Sequence, residues 1–295
     1  MDANVGTKRY PAVNYKASRK GRERRTIREN SYHPFGLIMR KEKGAILFIC
    51  IWALVILSIL SLGVAGRVNS EMQFAKYLRD SLISLYAAKA ALSRALVEIK
   101  NDDTPSFYNY YELVEKRNVS LGEGSFEFNF SDESGMVNIN TADVSVLGRL
   151  PGMDATLAQA VIESGKRPFA AKEEILLVDG ITKDIFLQFK GLITVNSSGT
   201  VNINTASEDV LRIYGLSEDL IGVISDYRKG EDGEEFTEDD AAYTFLPGGI
   251  SPAVFGTTSN YLRLNIATEV SGRSVRNYSI VFEVSSGKIL AWQEA

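Results

Sequence analysis

The sequence predicts an α+β chain: one long N-terminal helix packed on an antiparallel sheet, with an all-α domain of two helical repeats inserted into that sheet. Three observations carry this reading. Residues 44–66 run for 23 positions without a charge, and their helical pattern continues to about residue 100. Residues 125–130 have the alternation of a half-buried strand, and from residue 260 to 293 the texture returns to strands. Between them a nine-residue motif occurs twice, 64 residues apart.

The helix begins abruptly. Arg40-Lys41-Glu42-Lys43-Gly44 gives way to Ala45 and an apolar run with no proline, long enough to cross a hydrocarbon core that needs roughly 20 residues. Charge is divided across it: residues 1–44 hold twelve Lys/Arg and four acids, a balance of +8, which leaves −12 for the remainder. Basic residues on one side of a span predict a cytoplasmic N-terminus and an exported body. Residues 1–38 are basic and polar without apolar periodicity, and a solvated tail is the expectation. Met39 opens a hexapeptide complete in itself, so Met1 and Met39 both stand as candidate starts.

Past Arg67, Val68, Met72, Ala75, Leu78, Leu82, Leu85, Tyr86, Ala90, Leu92, Leu96 and Ile99 recur at three- and four-residue steps. This stripe is expected to lie on the sheet, and the helix to stop at Asn101-Asp102-Asp103-Thr104-Pro105. A polar and aromatic connector follows. Ser134-Gly135 is then expected to turn residues 125–130 back into residues 136–139 as a hairpin.

The repeated motif is Ser134-Gly135-Met136-Val137-Asn138-Ile139-Asn140-Thr141-Ala142, matched by Ser198-Gly199-Thr200-Val201-Asn202-Ile203-Asn204-Thr205-Ala206. Each copy reads as strand, Asn-Thr-Ala, then helix. Thr205 with Glu208 has the form of a capping box, and Thr141 is a candidate cap alone. Short helices are expected over 144–150, 155–164, 172–178 and 183–191, then 208–214 and 218–228. From residue 259 strands return at 261–268, 274–284 and 288–293, joined by Ser271-Gly272 and Ser286-Gly287 as tight turns. The segments are therefore 1–44 (basic extension and leader), 45–100 (long helix, spanning at about 45–66), 101–139 (first part of the sheet), 140–258 (helical insert) and 259–295 (C-terminal strands).

Composition narrows the chemistry. The one cysteine, Cys50, lies in the apolar run and the one histidine, His33, in the basic segment. The body thus offers no thiolate, no histidine base and no histidine ligand, and with no Gly-rich phosphate loop a non-enzyme is expected. No cofactor is required. The acidic run from Glu231 offers Asp232, Glu234, Glu238, Asp239 and Asp240 as candidate calcium ligands, oxygen donors suiting that cation, though without EF-hand spacing.

The junction of Arg40-Lys41-Glu42-Lys43-Gly44 with Ala45 resembles the leader of type IV prepilins and type II secretion pseudopilins. With the paired Asn-Thr-Ala motifs, the helical insert and the Ser259-Asn260-Tyr261-Leu262-Arg263-Leu264 return strand, the chain is similar to the K-type minor pseudopilins from Arg40 onward. The resemblance implies a pilin-like fold, cleavage between Gly44 and Ala45 by a prepilin peptidase, and N-methylation of Ala45. It also implies passage from the inner membrane to a pseudopilus tip, with I- and J-type minor pseudopilins as partners. Most pilins carry glutamate at the fifth mature position; here it is Ile49. A carboxylate in hydrocarbon is costly unless paired, and a tip subunit has no neighbour above it to pair with.

The Asn-Thr-Ala motifs and the Leu150-Pro151-Gly152 turn also resemble helix-hairpin-helix modules, including those of DNA-uptake receptors. A membrane-anchored DNA-uptake protein and a type IV minor pilin are therefore the alternatives. Such modules hold phosphate on a Gly-hydrophobic-Gly turn. Here Gly152-Met153-Asp154 and Gly215-Leu216-Ser217-Glu218-Asp219 lack the second glycine and place carboxylates there. Protein–protein scaffolding without nucleic acid is the expectation.

Overall fold

The structure is a computed structural model that describes residues 42–101 and 110–294. The basic extension with Met39, His33 and Lys41, and the breaker cluster after Asn101, lie outside the described residues. The chain divides into two units, one ending at Arg67 and one starting at Val68.

In the first unit the described residues are helical, the start of α1 (Glu42–Asn101). Among the described residues this is the one helix long and apolar enough to cross a membrane, and its side chains from Ile46 to Val64 are exposed.

The second unit is an α+β body. A short α2 (Tyr110–Val114) leads into β1 (Arg117–Leu121) and β2 (Gly124–Asp132). After the insert come β7 (Tyr261–Val270), β8 (Arg273–Glu283) and β9 (Ile289–Glu294). The five strands run β1-β2-β7-β8-β9, every neighbouring pair antiparallel. Alternation along β2 and β7 sends Phe126, Phe128, Phe130, Leu262, Leu264 and Ile266 to one face. There they meet Ala87, Ala88, Ala91, Leu92 and Ala95 of α1 in one apolar cluster. Small residues on the helix against large ones on the sheet bring the backbones close. At Gly124 a Cβ would sit 2.9 Å from Ile83 Cγ2. Inside this cluster Ser84 Oγ meets Thr268 Oγ1 at 2.7 Å and the Tyr278 hydroxyl at 3.1 Å.

Three expectations need correcting. The helical stripe does not lie wholly on the sheet: Val68, Met72, Leu78, Leu82 and Tyr86 are exposed, and the covered face is that of Ser84, Ala87, Ala88, Ala91 and Ala95. Nine to eleven residues of strand span about 30 Å, enough for about 20 residues of helix at 1.5 Å each. No hairpin joins β2 to residues 136–139. Asp132 caps a 3₁₀ turn (Glu133–Gly135) that carries the chain into the insert, where β3 (Val137–Asn138) pairs in parallel with β4 (Ile193–Thr194). The connector contains β1, whose edge position leaves most of its side chains exposed and removes the alternation a half-buried strand would show.

The insert comprises α3 (Val144–Leu147), α4 (Ala155–Glu163), a 3₁₀ helix (Lys172–Leu177) and α5 (Lys183–Phe189), then α6 (Glu208–Ile213) and α7 (Glu218–Arg228). Each copy opens on a two-residue strand and closes on its parallel partner, β3 on β4 and β5 (Val201–Asn202) on β6 (Phe255–Gly256). Both copies share one apolar core.

Candidate functional site

The predicted leader junction is helical. Gly44 and Ala45 are exposed in the first turns of α1, and a Cβ at Gly44 would meet nothing within 4 Å. Packing gives no reason for glycine there. Ile49 is exposed on the same apolar stretch.

The Asn-Thr-Ala motifs are not helix caps. The Asn138 carbonyl accepts from Thr141 N and Ala142 N, and the Asn202 carbonyl from Thr205 N and Ala206 N, so each motif is a turn. The helices start two residues later. They are capped by Asp143, which accepts from Val146 N at 2.9 Å, and by Ser207, which accepts from Val210 N at 3.3 Å. The Ser145 hydroxyl, with the Val146 amide, holds the Asp143 carboxyl below the usual range.

The motif asparagines act as clamps. Asn140 Oδ1 accepts from Phe169 N at 2.7 Å and its Nδ2 donates to Phe169 O at 2.9 Å. Asn204 does the same to Tyr243 at 2.7 and 2.9 Å, with a further bond to Thr257 O at 2.8 Å. The alanine carbonyl of each motif receives an arginine: Arg167 reaches Ala142 O at 2.9 Å and the buried Arg228 reaches Ala206 O at 2.6 Å. Sequence reasoning missed both arginines. They stand 25 and 22 residues beyond the alanines they serve, at different points of their repeats, so the 64-residue period does not superimpose them.

A polar joint ties this insert to the sheet at the end of β2. The buried Asp132 takes Ser134 N at 2.7 Å, Asn202 Nδ2 at 2.8 Å and Thr205 Oγ1 at 2.7 Å. Burial raises its carboxyl above the usual range, and those donors counter part of the rise. Glu133, also buried, accepts from Thr194 of the first repeat and from Arg263 Nε and Nη2 of β7, both at 2.6 Å. Ser259 Oγ meets Ser134 Oγ at 2.9 Å where the chain returns to the sheet. Asn202 and Thr205 are thus joint residues, whereas their first-repeat counterparts turn elsewhere: Asn138 Nδ2 goes to Ser197 O at 2.6 Å, and Thr141 Oγ1 lies beside Gly199.

Where a helix-hairpin-helix would hold phosphate, this chain holds its own groups. Asp154 accepts from Leu157 N at 2.8 Å at the start of α4, and Ser217 from Leu220 N at 3.4 Å at the start of α7. Arg212 is taken by Glu218 at 2.7 and 3.0 Å and by Asp209 at 2.7 Å, and Arg149 by the Ile213 carbonyl at 3.2 Å.

In the acidic loop, Asp239 Oδ2 accepts from Glu231 N at 2.7 Å and Asp232 N at 3.0 Å. The Thr237 hydroxyl, then these amides, hold the Asp239 carboxyl down at about 2. Asp232 accepts from Glu234 N, and Asp240 from Phe236 N. Asp232, Glu234, Glu238, Asp239 and Asp240 do not converge: among the described residues no three acidic, histidine or cysteine side chains form a cluster that could hold a metal ion. The loop spends three of these carboxylates, Asp232, Asp239 and Asp240, on its own amides, and turns at Gly230 and Gly233, both at positive φ.

The architecture is that of a pilin-like protein: a long N-terminal helix, an antiparallel sheet, and a helix-hairpin-helix domain set into it. Residues 132–194 match the helix-hairpin-helix motif family. The chain shares its fold, which is GspK-like, with a chain in the crystal structure of the GspK-GspI-GspJ complex from the enterotoxigenic Escherichia coli type 2 secretion system. Identity is 15% and the TM-score 0.53, over 78% of this chain and 99% of that one. No curated protein sequence matches the chain.

Proposed function

We propose that this chain is a K-type minor pseudopilin, which caps the tip of a type II secretion pseudopilus and supports export of folded proteins across the outer membrane. The observation that carries the reading is the reach of the shared fold, which takes in 99% of a chain from the GspK-GspI-GspJ assembly. In this reading the basic N-terminus stays cytoplasmic, α1 anchors the chain in the inner membrane, and the body is periplasmic. A prepilin peptidase hydrolyses the Gly44–Ala45 bond and the new amine of Ala45 is methylated. The mature helix then joins I- and J-type partners through side chains such as Met72, Leu78, Leu82 and Tyr86, which the body leaves exposed. Ile49 removes the need for a neighbour above. The insert supplies bulk at the tip. The reading assigns no catalytic role and no required cofactor.

Gly44→Ala tests the leader directly. The variant methyl meets nothing in the fold, so folding is untouched while processing stops: mass spectrometry of the membrane fraction should find the leader intact. A variant matured like the parent overturns the reading.

The helix-hairpin-helix match favours a second reading, DNA uptake. The capped helix starts and the neutralised Arg212 oppose it, since DNA binding draws on free cations and amides. The processed chain, from Ala45 onward, in neutral detergent should show no measurable affinity for duplex DNA at about 50 mM salt. Tight binding that falls steeply with added salt would restore that reading.

A further inference from the structure

The preceding reading leaves unused a cleft of about 310 Å³ where the sheet, α2 and both repeats meet. Its wall is apolar along one side, at Leu113 and Val114 of α2, Phe130 of β2, Met136 and Val210 of α6, and polar along the other, at Ser131, Asp132, Lys172, Thr205, Ser207 and Arg263. Junctions between structural layers are where small-ligand sites concentrate, and the volume lies at the lower end of their usual range.

One charge in this lining is both accessible and unmatched. Lys172 Nζ donates to Lys190 O at 3.1 Å, which sets the ammonium beside Gly191 at the edge of the cleft. An ammonium has three donors, and among the described residues no carboxylate lies within ion-pair distance of this one. The other charged groups of the lining are spent. Arg263 is held by Glu133 at 2.6 Å and by Ser279 at 2.8 Å, and the Asp132 carboxylate, 7% exposed, is held by Ser134 N, Asn202 and Thr205.

We infer that this cleft is a binding site for an apolar carboxylate, the acid group on Lys172 and the hydrocarbon body against Leu113, Phe130, Met136 and Val210. Two sources share that chemistry: a free aliphatic or aromatic acid, and the C-terminal residue of a polypeptide with a large apolar side chain. The carboxylate supplies the counter-charge that Lys172 lacks, in a setting where apolar walls strengthen the pair. The site stands independently of the secretion reading, since it rests only on the cleft and its lysine.

The test is a titration of the full-length chain, in neutral detergent, by calorimetry. The probes are 3-phenylpropionate, N-acetylphenylalanine and, as the uncharged control, 3-phenylpropionamide. Both acids are expected to bind saturably and the amide at least tenfold more weakly. Lys172→Gln should weaken the acids at least tenfold and leave the melting temperature unchanged, because Lys172 is only half-buried and bonds one carbonyl. Val210→Phe should abolish binding by filling the cleft; should that variant not fold, Lys172→Gln decides alone. The better binder names the source, N-acetylphenylalanine for a polypeptide terminus and 3-phenylpropionate for a free acid. No saturable binding by either acid, equal binding by the amide, or an unaffected Lys172→Gln variant overturns the inference.

Discussion

Asn204 makes three hydrogen bonds to backbone groups of segments 39 and 53 residues away, and it is almost wholly buried. Asn140 makes the matching pair to Phe169, and a longer third bond to Val195 O at 3.4 Å, from a half-buried position. Removing a buried partner leaves the groups it served without water to replace it, at about 1–3 kcal/mol each. Asn204→Ala should therefore destabilise the body by about 2–4 kcal/mol and Asn140→Ala by about half as much in urea unfolding. Equal costs would mean that the two clamps are not ranked by burial. The motif was legible as a repeat, but its clamping role was not, because the clamped residues have no signature of their own. Thr141 and Thr205 looked like caps for a related reason: Asp143 and Ser207, the actual caps, stand only two residues on. Asp132 was equally hidden, an acid at the end of a strand with nothing to mark it as buried. Burial raises its carboxyl above the usual carboxylate range. A raised folded value means that its contribution to stability is present below the unfolded value and lost as pH rises through the folded one. The stability of the parent minus that of Asp132→Asn should therefore fall as pH rises from about 4 through the mildly acidic range. A difference that instead grows with pH would show that the donors around Asp132 outweigh its burial.

At the scale of elements, strands and helices of the body were read well wherever one face is buried and the other wet. β2, β7 and β8 announce themselves by alternation, and the short helices by their turns. What periodicity could not say is which face of α1 meets the sheet. Two apolar stripes share that helix. Leu82 and Tyr86 belong to the exposed one; Ala87, Ala88, Ala91 and Ala95 to the covered one. Hydrophobicity favours the larger residues, yet the sheet presents Phe126, Phe128 and Phe130, and the helix face against them is mostly alanine, with Leu92 as the one large side chain among its buried residues. Ala91 has no exposed surface, so Ala91→Leu should cost about 1–3 kcal/mol through overpacking. Tyr86→Ala, with 65% of its surface exposed, should change the melting temperature of the isolated chain little. A tolerated Ala91→Leu would mean that the helix can lift from the sheet without loss.

At the scale of the whole body, the insert interrupts a sheet that is complete without it. Asp132, where β2 ends, is directly paired with Leu262, near the start of β7, so the two ends of the insert leave from neighbouring points about 5 Å apart. A four-residue Gly/Ser linker can therefore replace residues 134–258 without moving either strand. The joint chemistry decides whether that works. Asn202, Thr205 and the Ser134 amide would all be gone, leaving Asp132 a carboxylate with Ser259 as its remaining donor. Such a charge costs several kcal/mol. Glu133 would lose Thr194 but keep Arg263. The excised chain carrying Asp132→Ser should thus fold cooperatively, with the sheet signature intact by circular dichroism, while the same excision with Asp132 retained should melt well below it. Under the secretion reading, the folded excision variant should still be processed at Gly44 and reach the membrane, and secretion should fail because the tip lacks its bulk. If both excisions are unfolded, the insert's core is part of the sheet's own stability, and the two are one cooperative unit rather than a sheet with a domain set into it.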